Sequence, residues 1–378
     1  MRYYIIAGEA SGDLHAANLI RSLKKVDKEA QIRGMGGDKM VAEGADIWNN
    51  YENTAYMGYI NVIINLRSIL NLMKQCKQDI QQWNPDVVIL VDYPGFNLKI
   101  AKFAHNAGFK VYYYIAPKIW AWKGYRIKDI KKYVHQLYSI LPFEVDFYKR
   151  HNYPIDYVGN PVLDNIARTL DRDQQRSDFI AKHKLSGKPI IAVLPGSRKQ
   201  EIKSLLPNMC AIAEQYPNHE FVISGAPGIE TEYYNKFTKL KRYKVVFNDT
   251  YQLVYHSEAA LVASGTATLE TALIGTPQVV CYKVWGGIFT YAVGKIVLRK
   301  IGFISLVNLI LGELCVTELL QQQFNKRRLN SELQKIVEGG ENRQNMLAQY
   351  KQLREIIGEQ GASDRAAQNI VDSLTKKQ

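Results

Sequence analysis

Short runs of β-branched and aromatic residues alternate with stretches of helical spacing along the chain, and the alternation starts afresh at Pro189. This rhythm belongs to parallel α/β sheets, whose strands are covered on both faces and connected through helices. In the first half it predicts strands at Tyr3–Ala7, Gln31–Met35, Asp86–Asp92, Lys110–Ile115 and Gln136–Ile140. Helices are expected near His15–Val26, Asn61–Trp83, Leu98–Asn106, Gly124–Tyr133 and Phe143–Arg150. The polar stretch Asp171–Lys188 reads as a domain boundary. Beyond it, strands are expected at Ile190–Leu194, Glu220–Ser224, Lys244–Phe247, Ala259–Ala263 and Gln278–Cys281. The expected fold is therefore α/β, with two Rossmann-like domains facing a cleft. They span residues 1–168 and 169–344, with residues 345–378 returning to the first by fold-level analogy.

The chain has 378 residues, enough for two domains, and its 49 Lys and Arg against 36 Asp and Glu leave a net charge of +13. Such an excess suits a phosphate-bearing partner: nucleic acid, a nucleotide, or an anionic membrane face. Four cysteines without close pairing are neither a disulfide framework nor a zinc knuckle, and they fit a reducing cytoplasm. The N-terminus opens into Tyr3-Tyr4-Ile5-Ile6-Ala7-Gly8, which lacks the layout of a secretory signal. Charged or polar residues such as Lys295 and Asn308 break the apolar runs before the roughly 20 residues of a bilayer span. The expectation is a protein in solution or on a membrane surface.

Ligands of open α/β sheets bind beyond the carboxyl ends of the strands, which singles out four loops. The first, Gly8-Glu9-Ala10-Ser11-Gly12-Asp13, offers a tight turn, close ligand approach, and Ser11 and Asp13 as caps for the next helix. It departs from G-x-G-x-x-G, so NAD is not expected. The second, Asp92-Tyr93-Pro94-Gly95-Phe96-Asn97, places a carboxylate at the end of an apolar strand, where desolvation raises its basicity. A role for Asp92 in catalysis is preferred to helix capping, because Asn97 is the better-placed cap. The third, Leu194-Pro195-Gly196-Ser197-Arg198, joins backbone donors to a guanidinium that is misplaced beside a helix's positive end unless an anion binds. The fourth, Ser264-Gly265-Thr266-Ala267-Thr268-Leu269-Glu270, offers further donors, while Glu270 reads equally as a ribose acceptor or a solvated side chain. Together they suggest a base on the first domain and a nucleotide diphosphate on the second. No D-x-D pair is positioned for a nucleotide-bound metal, so metal-independent chemistry without a cofactor is expected.

Nine Lys or Arg residues lie between Asn97 and His135, with Asp129 the sole acid, and Trp120 and Trp122 sit among Lys118 and Lys123. Trp and Lys together suit a lipid headgroup boundary, although a buried tryptophan pair is the plainer alternative. On a helix over Ile60–Trp83, Val62, Leu66, Ile69, Met73, Cys76, Ile80 and Trp83 form the core stripe. Ile60, Ile63 and Ile64 fall off that stripe, which suggests contact with lipid, acyl chains or another subunit, such as a homodimer partner. The stretch Trp285–Phe303 likewise mixes apolar and basic residues without an acid. Nucleic acid ranks behind lipid, since there is no zinc-finger spacing, RNP signature or long basic arm.

Six motifs in register carry a family resemblance: Ala7–Asp13, Asp92-x-Pro-x-Phe-Asn97, Pro117-x-x-Trp120-Ala121-Trp122, Leu141-Pro142-Phe143-Glu144, Leu194–Arg198 and Ala263–Glu270. Over nearly the whole chain they resemble lipid A disaccharide synthase of Gram-negative bacteria. The resemblance implies a GT-B glycosyltransferase that moves 2,3-diacylglucosamine from UDP-2,3-diacylglucosamine to 2,3-diacylglucosamine 1-phosphate with inversion. The product would be a β-1,6-linked disaccharide 1-phosphate, plus UDP. By the same resemblance Asp92 is the general base, and Glu9, Ser11 and Asp13 lie beside the reaction centre. Gly196, Ser197, Arg198, Ser264, Gly265, Thr266, Glu270 and Asn308 would serve the nucleotide. Two departures are Val307, where the family usually has proline, and Gly95, where some relatives carry a second aspartate. The anionic inner leaflet of the inner membrane becomes the expected partner surface. Two alternatives stay open: another two-Rossmann UDP-N-acetylglucosamine enzyme (peptidoglycan glycosyltransferase or 2-epimerase), or a non-catalytic, membrane-docked nucleotide-binding regulator.

Overall fold

A computed structural model describes residues 1–51, 66–121, 124–238, 243–283 and 302–376. The chain forms two compact units, Met1–Asp164 with Glu359–Gln378, and Asn165–Gly358.

Among the described residues of the first unit, seven parallel strands form one sheet: β1 (Arg2–Ala7), β2 (Gln31–Gly36), β3 (Asp46–Asn50), β4 (Val87–Val91), β5 (Lys110–Tyr114), β6 (Gln136–Ser139) and β7 (Asp156–Tyr157). Their order is β3-β2-β1-β4-β5-β6-β7, so the winding reverses between β1 and β4. Every residue of β4 is buried, as expected of a strand covered on both faces. The pleat sends Tyr4, Ile6, Val88 and Leu90 to one core, with Met73, Cys76 and Ile80 of α3 (Leu66–Trp83). Tyr3, Ile5, Val87 and Ile89 go to the other, with Leu19, Ile20 and Leu23 of α1 (Ala10–Val26). The remaining labelled helices are α2 (Asp38–Ala42), α4 (Pro94–Asn106), α5 (Ile127–Tyr133) and α6 (Pro142–Arg150).

Several boundaries differ from the sequence expectation. Helix α1 begins at Ala10 rather than His15, and α4 at Pro94 rather than Leu98, with proline in the first turn, where its missing N–H costs nothing. The terminal helix Ala362–Thr375 lies on the first unit, where Ser22 Oγ donates to Asp364 at 2.6 Å and Ser373 Oγ to the Tyr112 hydroxyl at 2.8 Å. That return starts at Glu359, not at residue 345. The helix Arg343–Ile357 stays with the second unit, where the Tyr350 hydroxyl accepts from Gln278 Nε2 at 3.3 Å.

Among the described residues, the second unit has six parallel strands: β8 (Ile190–Leu194), β9 (Glu220–Gly225), β10 (Lys244–Phe247), β11 (Ala259–Ala263), β12 (Gln278–Tyr282) and β13 (Glu318–Leu320). They run in the order β10-β9-β8-β11-β12-β13, so the winding reverses between β8 and β11. The segment 171–188 is not a bare linker. It carries the helix Arg176–His183, whose buried Phe179 packs on the His183 and His256 rings.

Gly34 of β2 faces Ile5 of β1 so closely that an added Cβ would overlap the Ile5 carbonyl. Gly34→Ala is expected to lose roughly 1–3 kcal/mol from this overpacking. Gly95→Ala, where a Cβ meets nothing within 4 Å, should be neutral or slightly stabilising. Urea midpoints of the two variants check the contrast.

Candidate active site

The two loops singled out in the first unit emerge side by side at the β1/β4 reversal, where Ala7 pairs with Val91. This is the topological switch point of an open α/β sheet. Glycine lets the loops close up, because a Cβ on Gly8 would run into the Tyr93 ring. The chain then turns sharply. Asp92 and Tyr93 are both left-handed, with φ of +46° and +47°, and Ile115 after β5 has φ +66°. Each such L-residue costs about 1–2 kcal/mol. The turn is held by polar groups behind it. Fully buried Asn97 donates through Nδ2 to the carbonyls of Val91 (3.2 Å) and Asp92 (2.8 Å), and the Tyr113 hydroxyl donates to the Asp92 carbonyl. Asn97 is therefore a clamp within the first turn of α4 and not its cap, a position taken by Tyr93.

The Asp92 side chain is partly withdrawn from water. Burial raises its pKa, opposed by the positive charge of Lys118 and by the Tyr93 backbone N–H. A carboxylate desolvated in this way holds a proton more tightly, as a general base must. Glu9 and Ser11 are exposed at the start of α1. Asp13 is not, being 1% exposed. Its carboxylate accepts from the N–H groups of Gly37 (2.8 Å), Lys39 (3.2 Å) and Met40 (3.2 Å), and so caps α2 rather than its own helix.

In the second unit the two expected anion loops also emerge side by side, since Leu194 of β8 pairs with Val262 of β11. They differ in what they hold. At the first, the Glu201 carboxylate accepts from the N–H groups of Ser197 (3.1 Å) and Arg198 (3.3 Å), and lies 3.9 Å from the Arg198 guanidinium. Gly196, at φ +106°, has no room for a side chain because Glu201 lies over it. The anion inferred from Arg198's position is thus met by the chain's own Glu201. At the second loop, Gly265 and Thr266 are exposed, and a Cβ on Gly265 would meet nothing within 4 Å. Ser264 donates its N–H to the Cys281 carbonyl at 3.0 Å. Glu270 accepts from the Tyr251 hydroxyl at 2.9 Å, and burial raises its pKa.

Asn308, expected at the nucleotide, is held by the chain's own backbone and Glu318. It is fully buried, donates to the Val316 carbonyl and to Glu318, and accepts from the N–H groups of Cys315 and Val316, all at 2.9 Å. Its hydrogen-bonding capacity is spent on the chain itself. Val307 sits buried in the same short helix, Leu306–Leu311.

Trp120, read as a headgroup contact, turns inward. Its Nε1 donates to Glu144 at 2.9 Å and its ring meets Phe143 edge-on at 5.0 Å. Trp122, Ile60, Ile63 and Ile64 lie outside the described residues, as does most of Trp285–Phe303. Lys99, Lys102, Lys128, Lys131 and Lys132 are exposed on α4 and α5. The residues that sequence reasoning missed are Asn97 and Tyr113 as clamps, and Glu201 as the internal anion. Glu201 carried a readable signal, standing three residues beyond the N-cap Arg198 at capping-box spacing.

A family model described as lipid-A-disaccharide synthetase matches residues 3–371. The lipid-A-disaccharide synthase of Syntrophus aciditrophicus is 36% identical over 96% of this chain and 95% of its own length. That of Myxococcus xanthus is also 36% identical, over 99% and 97%. Among solved structures, UDP-GlcNAc 2-epimerase from Neisseria meningitidis bound to UDP-GlcNAc superposes with a TM-score of 0.67, at 13% identity and full coverage of both chains. The calicheamicin glycosyltransferase gives 0.62 at 13% identity, over 99% of this chain and 98% of its own. These last two share the fold.

The native state holds the Asp92 proton more tightly than the unfolded chain does. Asp92 therefore subtracts from stability as pH rises out of the ordinary carboxylate range. Asp92→Asn removes that loss, and asparagine tolerates the left-handed backbone. Urea midpoints should agree for variant and wild type near pH 4, with the variant ahead at pH 7. A variant equally or less stable at pH 7 would contradict the desolvated carboxylate.

Proposed function

The chain belongs to the lipid-A-disaccharide synthetase family, and from that premise we propose how its residues divide the work of the transfer. It is a glycosyltransferase of lipid A synthesis, built on the GT-B fold and using a UDP-sugar. The observation that carries the assignment of roles is the strained, desolvated Asp92 carboxylate at the switch point of the first sheet.

In this reading the donor is UDP-2,3-diacylglucosamine and the acceptor is 2,3-diacylglucosamine 1-phosphate. Asp92 takes the proton of the acceptor's 6-hydroxyl as that oxygen attacks the anomeric carbon of the donor. The bond from that carbon to the diphosphate oxygen breaks, and its electron pair leaves with UDP. A single displacement inverts the anomeric centre and needs one base. The departing negative charge meets the Arg198 guanidinium and the start of the helix Thr266–Ile274, with Ser264, Gly265 and Thr266 nearest the diphosphate. Beside Gly196, the backbone N–H groups of Ser197 and Arg198 reach UDP only if Glu201 yields them. Glu270, already oriented by Tyr251, is assigned to the ribose. Glu9 and Ser11 are assigned to the acceptor, while Asp13 and Asn308 hold backbone in place and touch neither sugar. No metal enters these steps.

Acylated sugars reside in a membrane, yet no helix among the described residues is long and apolar enough to cross one. We assign the chain to the cytoplasmic face of the inner membrane, held peripherally. The exposed lysines of α4 and α5, with Tyr125 at 67% exposure, support this reading by matching an anionic leaflet. The Ile60, Ile63 and Ile64 positions are assigned to acyl chains, with a homodimer contact as the alternative occupant.

Asp92→Asn should slow UDP release from the two acylated substrates by roughly 100- to 10,000-fold, the range for loss of a general base. Plain UDP-N-acetylglucosamine should be neither epimerised nor transferred. Wild-type turnover by the variant would remove Asp92 from the role, and turnover of the unacylated sugar would favour an epimerase.

A further inference from the structure

One buried carboxyl group of the first unit has no part in the reaction as assigned. Glu144, in the first turn of α6, is 1% exposed, yet both of its oxygens are held. Trp120 Nε1 donates to one at 2.9 Å, and Ser139 Oγ donates to the other. Ser139 is fully buried too, and its single hydroxyl proton has a second acceptor in the Leu141 carbonyl, 2.9 Å away. The pocket therefore satisfies either state of Glu144. When Glu144 is ionised, Ser139 donates to it. When Glu144 is protonated, its O–H donates to Ser139, whose own proton turns to Leu141.

Through Trp120, Glu144 grips the segment after β5. That segment leaves the strand at left-handed Ile115, gives the Tyr148 hydroxyl an acceptor in the Pro117 carbonyl at 3.4 Å, and carries exposed Lys118. The strands β4, β5 and β6 are successive neighbours. The loops bearing Asp92 and Glu144 thus stand two strand spacings apart, on the order of 10 Å.

We infer that Glu144 is a positioning residue for Asp92: it anchors the Lys118-bearing segment through Trp120, and its negative charge, two strands away, strengthens Asp92 as a base. The inference rests on the reading of Asp92 as the general base. The charged and titratable groups facing Glu144 are Lys118 from the segment after β5, Asp92 from the loop after β4, and Tyr148 from α6 itself. From β6 comes only the Ser139 hydroxyl. Burial is the largest influence and the Asp92 charge adds to it; against the downward pull of Ser139, Trp120 and Lys118, the carboxyl is raised to about 7.

Glu144→Gln keeps an acceptor for Trp120 and a partner for Ser139, so it should fold as the wild type does, with a matching melting curve near pH 4 and a higher one at pH 7, where the raised carboxyl subtracts from wild-type stability. In wild type, kcat/KM for the acylated substrates should rise in two steps with pH. The first is the ionisation of Asp92. The second, near pH 7, is a roughly two- to threefold gain as Glu144 acquires its charge and Asp92 becomes the stronger base. In Glu144→Gln the second step should vanish while the first remains. A second readout needs no turnover. The Trp120 contribution to fluorescence, taken as the difference from Trp120→Phe, should step near pH 7 and lose that step in Glu144→Gln. In Asp92→Asn its midpoint should fall, because the two charges act on one another reciprocally. A second kinetic step surviving in Glu144→Gln, or a Trp120 midpoint unmoved in Asp92→Asn, overturns the inference. Turnover by Asp92→Asn separately tests the base, so a dead variant with an unmoved midpoint leaves Asp92 as the base and removes Glu144 from the role.

Discussion

The chemistry of the first unit hangs on two backbone carbonyls, those of Val91 and Asp92, being held by a buried amide and a phenol. Asn97 and Tyr113 oppose relaxation of the left-handed pair Asp92–Tyr93, together with backbone bonds from the Asp92 N–H to the Tyr114 carbonyl and from the Phe96 and Asn97 N–H groups to the Tyr93 carbonyl. Buried donors left unpaired cost about 1–3 kcal/mol each, so the clamp and the strain are of similar size and sustain one another. Asn97 stands in the helix that the turn itself begins. Strand end, turn and helix start therefore form one unit, and the carboxylate is aimed by the fold rather than by its own rotamer.

Much of this architecture was legible in the residues. Apolar strands such as Val87–Val91 and Ile190–Leu194 can sit only in the middle of a covered sheet, and both do. Of the four edge strands, β10 (Lys244–Phe247) was legible and the other three were not. β3 reads Asp-Ile-Trp-Asn-Asn, β7 has two residues and β13 three, and short polar edges carry no periodicity to detect. The four ligand loops followed from strand-end glycines and hydroxyls, but their pairing is topological. Only the reversals at β1/β4 and β8/β11 set Gly8 beside Tyr93 and Leu194 beside Val262.

The side chains that defied local reading share a cause: their partners are remote or internal. Asp13 looks like a cap for the helix that contains it, but its acceptor oxygens serve a turn more than twenty residues later. Asn308 looks free to meet a ligand, but the following loop folds back and uses all of it. At Arg198 the chain's own Glu201 stands 3.9 Å from the guanidinium, on the side where an anion is expected. The two sheets consequently carry unlike switch points. One presents an acid group whose proton is hard to remove. The other presents two helix starts, of which one is already neutralised by Glu201 and one opens onto space at Gly265.

The terminal helix Ala362–Thr375 belongs to the same core as Ala16, Ala17, Leu19 and Ile20 near the other end of the chain. During synthesis on the ribosome those apolar residues emerge long before their cover. The whole second unit, Asn165–Gly358, is translated in between, which takes roughly 10–40 s at typical elongation rates. For that interval the nascent first unit shows a greasy flank to the surrounding water. A message cut short before the codon for Ala362 would leave that flank permanently bare, even with every residue of both switch points already made.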